Sequence, residues 1–229
     1  MRWPQRYGAS APAYDLLSAE WPVYRVGRRA GVSALGLQPG DTVLDVGCGT
    51  GLTMPLLQNA VGSSGRIIGV DASADMLQEA ERRAQRGGWH NVALVHSDAT
   101  SIDPAVITDE IASPEGPRRA DAVIFVYSLS LMDDWRDTWR RALAATRPGA
   151  RVAVVDMQMP VGRAAIFSPL ARLACALGGS DPEAHPWQAL EAEAVDVERH
   201  SFWGGHVQLR AGAMRQLDGA DVEDVGRRW

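Results

Sequence analysis

Three glycines at alternate positions, Gly47, Gly49 and Gly51, follow the apolar run Val43, Leu44 and Val46 and precede a stretch of helical pattern. Glycine there lets the backbone turn sharply and come into contact with a ligand, where a Cβ would stand in the way. Strand, glycine loop and helix together make a nucleotide-cofactor loop. The spacing opposes a dinucleotide, whose fingerprint needs Gly or Ala at position 52; Leu52 stands there. Asp45, inside the motif, would repel a pyrophosphate and suits a cationic ligand reached through water. Asp71 follows the loop by about twenty positions, the distance at which an acidic residue accepts from ribose hydroxyls. Further polar groups close later apolar runs: Asp98, Tyr127 with Ser128, and Asp156.

The elements that carry these groups alternate. Arg66 to Val70 reads as a second strand ending at Asp71, with Ser73 as N-cap of a helix that stops at Gly87-Gly88. Val92 to Val95 is a third strand, and Ala122 to Val126 is continuous enough for the centre of a parallel sheet. Leu52 to Val61 is expected as the first crossover helix, with Pro55 near its start. Residues 101–119, rich in proline, form a long polar connection, read either as a surface insertion or as a partial lid. Trp135 and Trp139 lie on a helix before the strand Arg151 to Asp156; Arg163 to Leu177 is another helix. Val195 to Trp203 and His206 to Arg210 make a hairpin around Gly204-Gly205. The fold expected is α/β, a doubly wound seven-stranded sheet with one antiparallel strand in a late hairpin. A single domain is expected: a helical cap over 1–36, broken near Trp21-Pro22, a core over 37–212 and a loosely held tail over 213–229.

Val43 to Gly51 resembles, almost letter for letter, the first motif of the class I S-adenosylmethionine-dependent methyltransferases. Gly69-Val70-Asp71-Ala72-Ser73 with Met76-Leu77, Ser97-Asp98-Ala99 and Arg147-Pro148-Gly149 continue the match in order and spacing. The resemblance implies S-adenosylmethionine as cofactor, with Asp45, Gly47, Cys48, Gly49, Gly51, Asp71, Ala72, Met76, Asp98 and Ala99 around it. Met76 would pack on the adenine and Asp98 would accept from its amino group, although Met76 also fits plain core and Asp98 a capped turn. The N-terminal helices would lie over the cofactor. Tyr14, Trp21 and Tyr24 would then line the acceptor pocket with Ser128 and Leu131; packing in the core is the competing reading for the three aromatics. Arg25, Arg28 and Arg29 read as a solvated face, or one of them as a partner for a carboxylate of cofactor or substrate.

Composition narrows the class. The formal charge of −5 gives no field for nucleic acid. All 23 basic residues are arginine, which excludes a Schiff-base lysine. Two cysteines, Cys48 and Cys175, make no disulfide framework, and without a signal peptide or a membrane-spanning run the chain is expected in the cytoplasm. The Asn/Asp-Pro-Pro-Tyr/Phe motif of nucleobase enzymes is missing where Val126 to Leu129 stands, and the strand ends offer too few oxygens for a metal. The start at Tyr14-Asp15 and the overall length resemble the quinone, sterol and phospholipid branch, so the acceptor expected is small, partly apolar, quinone-like or lipid-like. Transfer of the aminocarboxypropyl group, and a non-catalytic binder of the same cofactor, are the alternatives. For a base, His206 with Asp156 as its partner, beside Tyr127, is weighed against His185 and against no base at all.

Overall fold

A computed structural model describes residues 23–112 and 118–215. Its centre is a seven-stranded sheet of β1 (Thr42–Val46), β2 (Arg66–Asp71), β3 (Val92–His96), β4 (Ala120–Val126), β5 (Thr146–Met157), β6 (Ala194–Phe202) and β7 (Val207–Met214). The spatial order is β3-β2-β1-β4-β5-β7-β6, parallel from β3 to β5, with β7 antiparallel to both neighbours. The strand order reverses at β1, with β2 on one side and β4 on the other, so the crevice of a doubly wound sheet opens at the carboxyl end of β1.

Period-2 alternation divides the sheet between two helical layers. Val43, Ile67, Ile124 and Val155 face the layer of α1 (Arg25–Ala34) and α2 (Met54–Val61). Leu44, Ile68, Phe125 and Val154 face the other core with Trp135 and Trp139 of α5 (Trp135–Ala144). The same core takes Ile107 and Ile111 of α4 (Pro104–Ile111) and Leu190 of α7 (Trp187–Glu193). Leu77 and Ala80 of α3 (Ala74–Gly87) close a smaller cluster with Cys48 and Met54. After β5 the chain forms a short 3₁₀ segment, Gly162–Phe167, and then α6 (Ser168–Gly178). No described helix is long and apolar enough to cross a membrane.

Several boundaries differ from the expectations: β5 starts at Thr146 and not Arg151, and the helix expected from Arg163 is 3₁₀ until Phe167. The connection after residue 101 is neither insertion nor lid over its first part; it carries α4, with Asp103 capping Ala105 N at 2.9 Å and Ile107 and Ile111 buried. Its proline sits in the first turn, where proline starts a helix and does not break it. Helix α7, in the loop before the hairpin, was not anticipated, and α2 begins at Met54, not Leu52. Strand β7 runs to Met214, so the first two residues assigned to the tail belong to the sheet. Tyr14, Trp21, the break at Trp21-Pro22 and the rest of the tail lie outside the described residues.

Candidate active site

Gly47, Gly49 and Gly51 all have positive φ, at 72°, 55° and 77°, so the loop after β1 is a left-handed turn that side chains resist. Their surroundings differ. A Cβ on Gly47 would stand 2.5 Å from Ser128 Cβ, and one on Gly51 2.7 Å from Met54 Sδ, but one on Gly49 would meet nothing within 4 Å. The first and third glycines allow packing; the middle one borders open space.

Asp71, at the end of β2, fixes this loop. Its Oδ2 accepts from Gly49 N at 2.8 Å and its Oδ1 from Ser73 N at 2.9 Å, so one carboxylate ties the glycine loop to the start of α3. Burial raises its pKa against those backbone bonds. Each oxygen keeps a second lone pair, which is what a ribose diol would use. Ser73 caps α3 through Met76 N, Met76 and Ala99 are both buried, and Ala72 O meets His96 Nε2 at 3.1 Å. Asp98 is exposed and closes a turn, taking Thr100 N and Thr100 Oγ1 on Oδ1. Its Oδ2 makes neither bond, so a capped turn and an adenine contact are compatible uses of one side chain.

Asp45 is 1% exposed, and its Oδ2 has no hydrogen-bond partner. An orphaned buried carboxylate oxygen is costly unless something completes it. The nearby cation is Arg28, whose guanidinium donates to Thr53 Oγ1 at 2.8 Å and lies 5.8 Å from the Tyr127 ring centroid. Arg28 therefore does not belong to a solvated face. Helix α1 lies close to the sheet because Gly27 and Gly31 face it; a Cβ at Gly27 would come within 2.3 Å of Tyr127 Oη. Sequence reasoning placed Arg28 on a solvated face or against a ligand carboxylate and passed over these two glycines, although glycines four apart in an amphipathic helix are a signal of close approach.

Burial lifts the Asp45 carboxyl to about 7, with Arg28 pulling it down and Asp71 pushing it further up. Asp156 is lifted to about 6 by burial, against the hydrogen bonds of Ser130 and Met157. A carboxyl raised in the folded state binds its proton there first, so stability is fullest below the unfolded value of about 4 and is lost as pH rises through the folded one. The urea midpoint is expected to fall between about pH 4 and pH 7, with a slope of up to about 1.4 kcal/mol per pH unit for one proton. Asp45→Asn should flatten the upper part of that curve. A midpoint that instead rises over this range would refute the assignment of a protonated Asp45.

On the far side of β1, Tyr127 ends β4 with φ 56°, uncommon for a residue with a side chain. Its N donates to Val155 O at 2.7 Å and its hydroxyl to Tyr24 O at 2.8 Å, with the Tyr24 ring edge-on at 4.9 Å. Ser128 Oγ donates to Val46 O at 2.7 Å, joining this turn to the strand that precedes the glycines. Leu131 is half-buried in the 3₁₀ turn Leu129–Leu131. His206 is 7% exposed and 6.2 Å from the Tyr24 ring.

The pairing of His206 with Asp156 is not formed. His206 Nδ1 meets Gln158 O at 2.7 Å. Asp156 instead accepts from Ser130 N at 2.9 Å, Ser130 Oγ at 2.6 Å and Met157 N at 2.9 Å. Register is the cause: Asp156 stands opposite Gln208 and Met157 opposite Val207, so His206 falls beyond the carboxylate's level. His185, the competing candidate, has φ 43° and its ring 5.0 Å from that of Trp187.

The residues present fit a cationic sulfonium nucleoside: open space at Gly49, an unsatisfied buried carboxylate oxygen at Asp45, and lone pairs at Asp71 and Asp98. This sheet order with this loop is the fold of a class I S-adenosylmethionine-dependent methyltransferase. The chain belongs to the methyltransferase-domain family, whose profile matches residues 37–194. It is 33% identical over 164 residues to a 2-phytyl-1,4-naphtoquinone methyltransferase of Synechococcus elongatus, covering 71% of this chain and 64% of that protein. It is 24% identical over 152 residues to a demethylmenaquinone methyltransferase of Listeria welshimeri, covering 66% of this chain and 60% of that one. The chain thus spans less than two thirds of these relatives' lengths. A solved SAM-dependent methyltransferase from Aquifex aeolicus shares the fold, with a TM-score of 0.57 at 16% identity over 87% of this chain and 97% of that one.

Proposed function

We propose that this chain transfers the methyl group of S-adenosylmethionine to a small, partly apolar, quinone-like acceptor. The observation that carries this reading is the aromatic wall at the end of β4, where Tyr127, Tyr24 and His206 gather beside the glycine loop. Flat rings of this kind suit a flat acceptor. The named activities of the two quinone methyltransferase relatives support the acceptor class.

When bound, the cofactor supplies a methyl carbon already activated on a sulfonium sulfur. The chain's own contribution is alignment and exclusion of water. Asp71 and the Gly49 amide fix the loop that holds the nucleoside, and Asp45, raised to about 7 by burial, would ionise beside a cationic ligand. Arg28 anchors α1 to α2's start through Thr53, and Tyr127 anchors the preceding turn of α1 through Tyr24 O. Together these bonds hold the N-terminal layer against the site. What remains for the chain is the acceptor's proton, which would leave to a base at the acceptor side.

His206 is the base in this reading. Because Gln158 O can only accept, the Nδ1 nitrogen carries the hydrogen, and the basic lone pair lies on Nε2. His206→Ala should lower the maximal rate by about 10²–10⁴ while leaving cofactor affinity unchanged. Near-normal turnover of that variant from about pH 6 to pH 9 would remove His206 from the mechanism. The acceptor is tested by incubating the chain with S-adenosylmethionine and reduced naphthoquinones and benzoquinones of graded tail length. A methylated product with S-adenosylhomocysteine is expected; release of methylthioadenosine would mean aminocarboxypropyl transfer instead, and no product from any of them would refute a quinone-like acceptor.

A further inference from the structure

Between the end of β5 and the end of α6 the chain leaves large apolar side chains in water. Val161 is 57% exposed, Ile166 77%, Phe167 58% and Leu173 56%, joined by Trp203 at 53% in the turn between β6 and β7. The segment that carries Val161, Ile166 and Phe167 meets the turn that carries Trp203. Val161 N donates to Gly204 O at 2.9 Å, and a Cβ on Gly204 would come within 2.2 Å of Ala164 Cβ, so the 3₁₀ segment lies against the hairpin turn. Ile166 and Phe167 close the 3₁₀ segment, and Leu173 lies midway along the α6 that follows it. Monomers rarely leave such a patch open without a use for it.

Topology puts this patch beside the site. Strands β5 and β6 both run antiparallel to β7, so their ends lie at the same end of the sheet as the loop after β1. Trp203 Nε1 donates to Val23 O at 3.0 Å, next to Tyr24, whose ring packs on Tyr127. The patch is therefore continuous, through Trp203 and Tyr24, with the aromatic wall of the acceptor side.

Charge identifies the partner. The chain carries a net −5, yet residues 157–180 hold Arg163 and Arg172 and no carboxylate. Both arginines are exposed among the apolar residues. Apolar side chains interleaved with guanidinium groups are the composition of a surface that lies in the headgroup layer of an anionic membrane.

We infer that the face formed by the 3₁₀ segment, α6 and the β6–β7 turn docks on an anionic phospholipid bilayer, holding the mouth of the acceptor site at the membrane surface. This extends the quinone-like reading: an acceptor with a long apolar tail resides in the bilayer, and a site whose rim sits there receives the head group without drawing the tail through water. Ile166, Phe167 and Leu173 enter the acyl boundary, while Arg163 and Arg172 pair with lipid phosphates.

The test is flotation of the full chain, without any acceptor, on vesicles of phosphatidylglycerol mixed with phosphatidylcholine and on vesicles of phosphatidylcholine alone. Binding to the anionic vesicles is expected, weakened by salt, and reduced at least tenfold by Ile166→Asp with Phe167→Asp and Leu173→Asp. Arg163→Gln with Arg172→Gln should reduce it less and remove the salt dependence. Calorimetric affinity for S-adenosylhomocysteine should be unchanged in both variants, which reports that they fold. Parent protein that stays unbound, or an aspartate variant that binds as the parent does, would overturn the proposal. So would sedimentation equilibrium in which the parent is a dimer and the aspartate variant a monomer, since a second copy would then cover the face. Vesicle binding is read without turnover, so loss of the quinone-like acceptor and loss of membrane docking are separate results.

Discussion

Gly49→Val is expected to abolish S-adenosylmethionine binding in a chain that still folds. The backbone at Gly49 has φ 55°, and a Cβ there would meet no protein atom within 4 Å. Nothing in the protein needs that space, so a valine is not rejected by packing. Its cost to the fold is conformational, about 1–2 kcal/mol for a side chain in the left-handed region. Against a typical domain stability of about 5–15 kcal/mol, that leaves the sheet intact. The ligand fares worse, because the isopropyl group occupies the space beside the Gly49 amide that Asp71 holds in place. Were the loop to relax to negative φ, Gly49 N would swing away from Asp71 Oδ2 and the cradle would open. Gly49→Ala, with a single methyl, should fall between the two. Gly47→Val is no substitute, since its Cβ would press on Ser128 Cβ at 2.5 Å and the fold itself would suffer. Calorimetry together with a thermal melt decides it: a folded Gly49→Val protein with parental affinity would show that the cofactor does not lie on this loop.

Asp156→Ala is expected to cost a large share of the chain's stability, on the order of 3–5 kcal/mol. Three donors converge on this carboxylate, and all are buried: Ser130 N, Ser130 Oγ and Met157 N. Each donor left without an acceptor costs about 1–3 kcal/mol, and the three are not additive because the turn can shift to recover some of them. The alanine also releases the 3₁₀ turn that follows Tyr127 and Ser128, so acceptor binding should weaken even in the folded fraction. Asp156→Asn separates position from charge. It keeps one acceptor oxygen for Ser130 and should lose only about 1–2 kcal/mol, while removing the step in stability near pH 6. If Asp156 holds a turn in place, the asparagine variant retains turnover in proportion to its folded fraction. If it carries a proton in the reaction, that variant folds and is inactive. Urea titrations with parallel rate measurements distinguish the two.

The sequence by itself determined the loop, the strand ends and the cofactor. The three glycines demand a left-handed turn within five residues, Asp71 follows at one crossover's distance, and Ser73 caps the helix beside it. Each of these is encoded in a few adjacent residues, because backbone conformation and strand–loop–helix succession are local properties. Proline in the first turn of α4 is local too, yet the proline content of residues 101–119 reads as a long polar connection. Tertiary structure decided the rest. Arg28 leaves the solvent face of its helix because Gly27 and Gly31, one turn apart, let α1 settle onto Tyr127 and Val155, and nothing in the helix itself says which sheet surface it will meet. His206 and Asp156 close one strand and open its neighbour, so both stand at the same rim, but pairing register decides which residues face each other. The register sets Asp156 opposite Gln208. Alternation then turns its carboxylate to the side of Val154, under α5, where Ser130 completes it. A hydrogen-bonded ladder has a period of two residues, and a histidine one position beyond the last pair is left to bond the next carbonyl, Gln158 O, in place of the carboxylate.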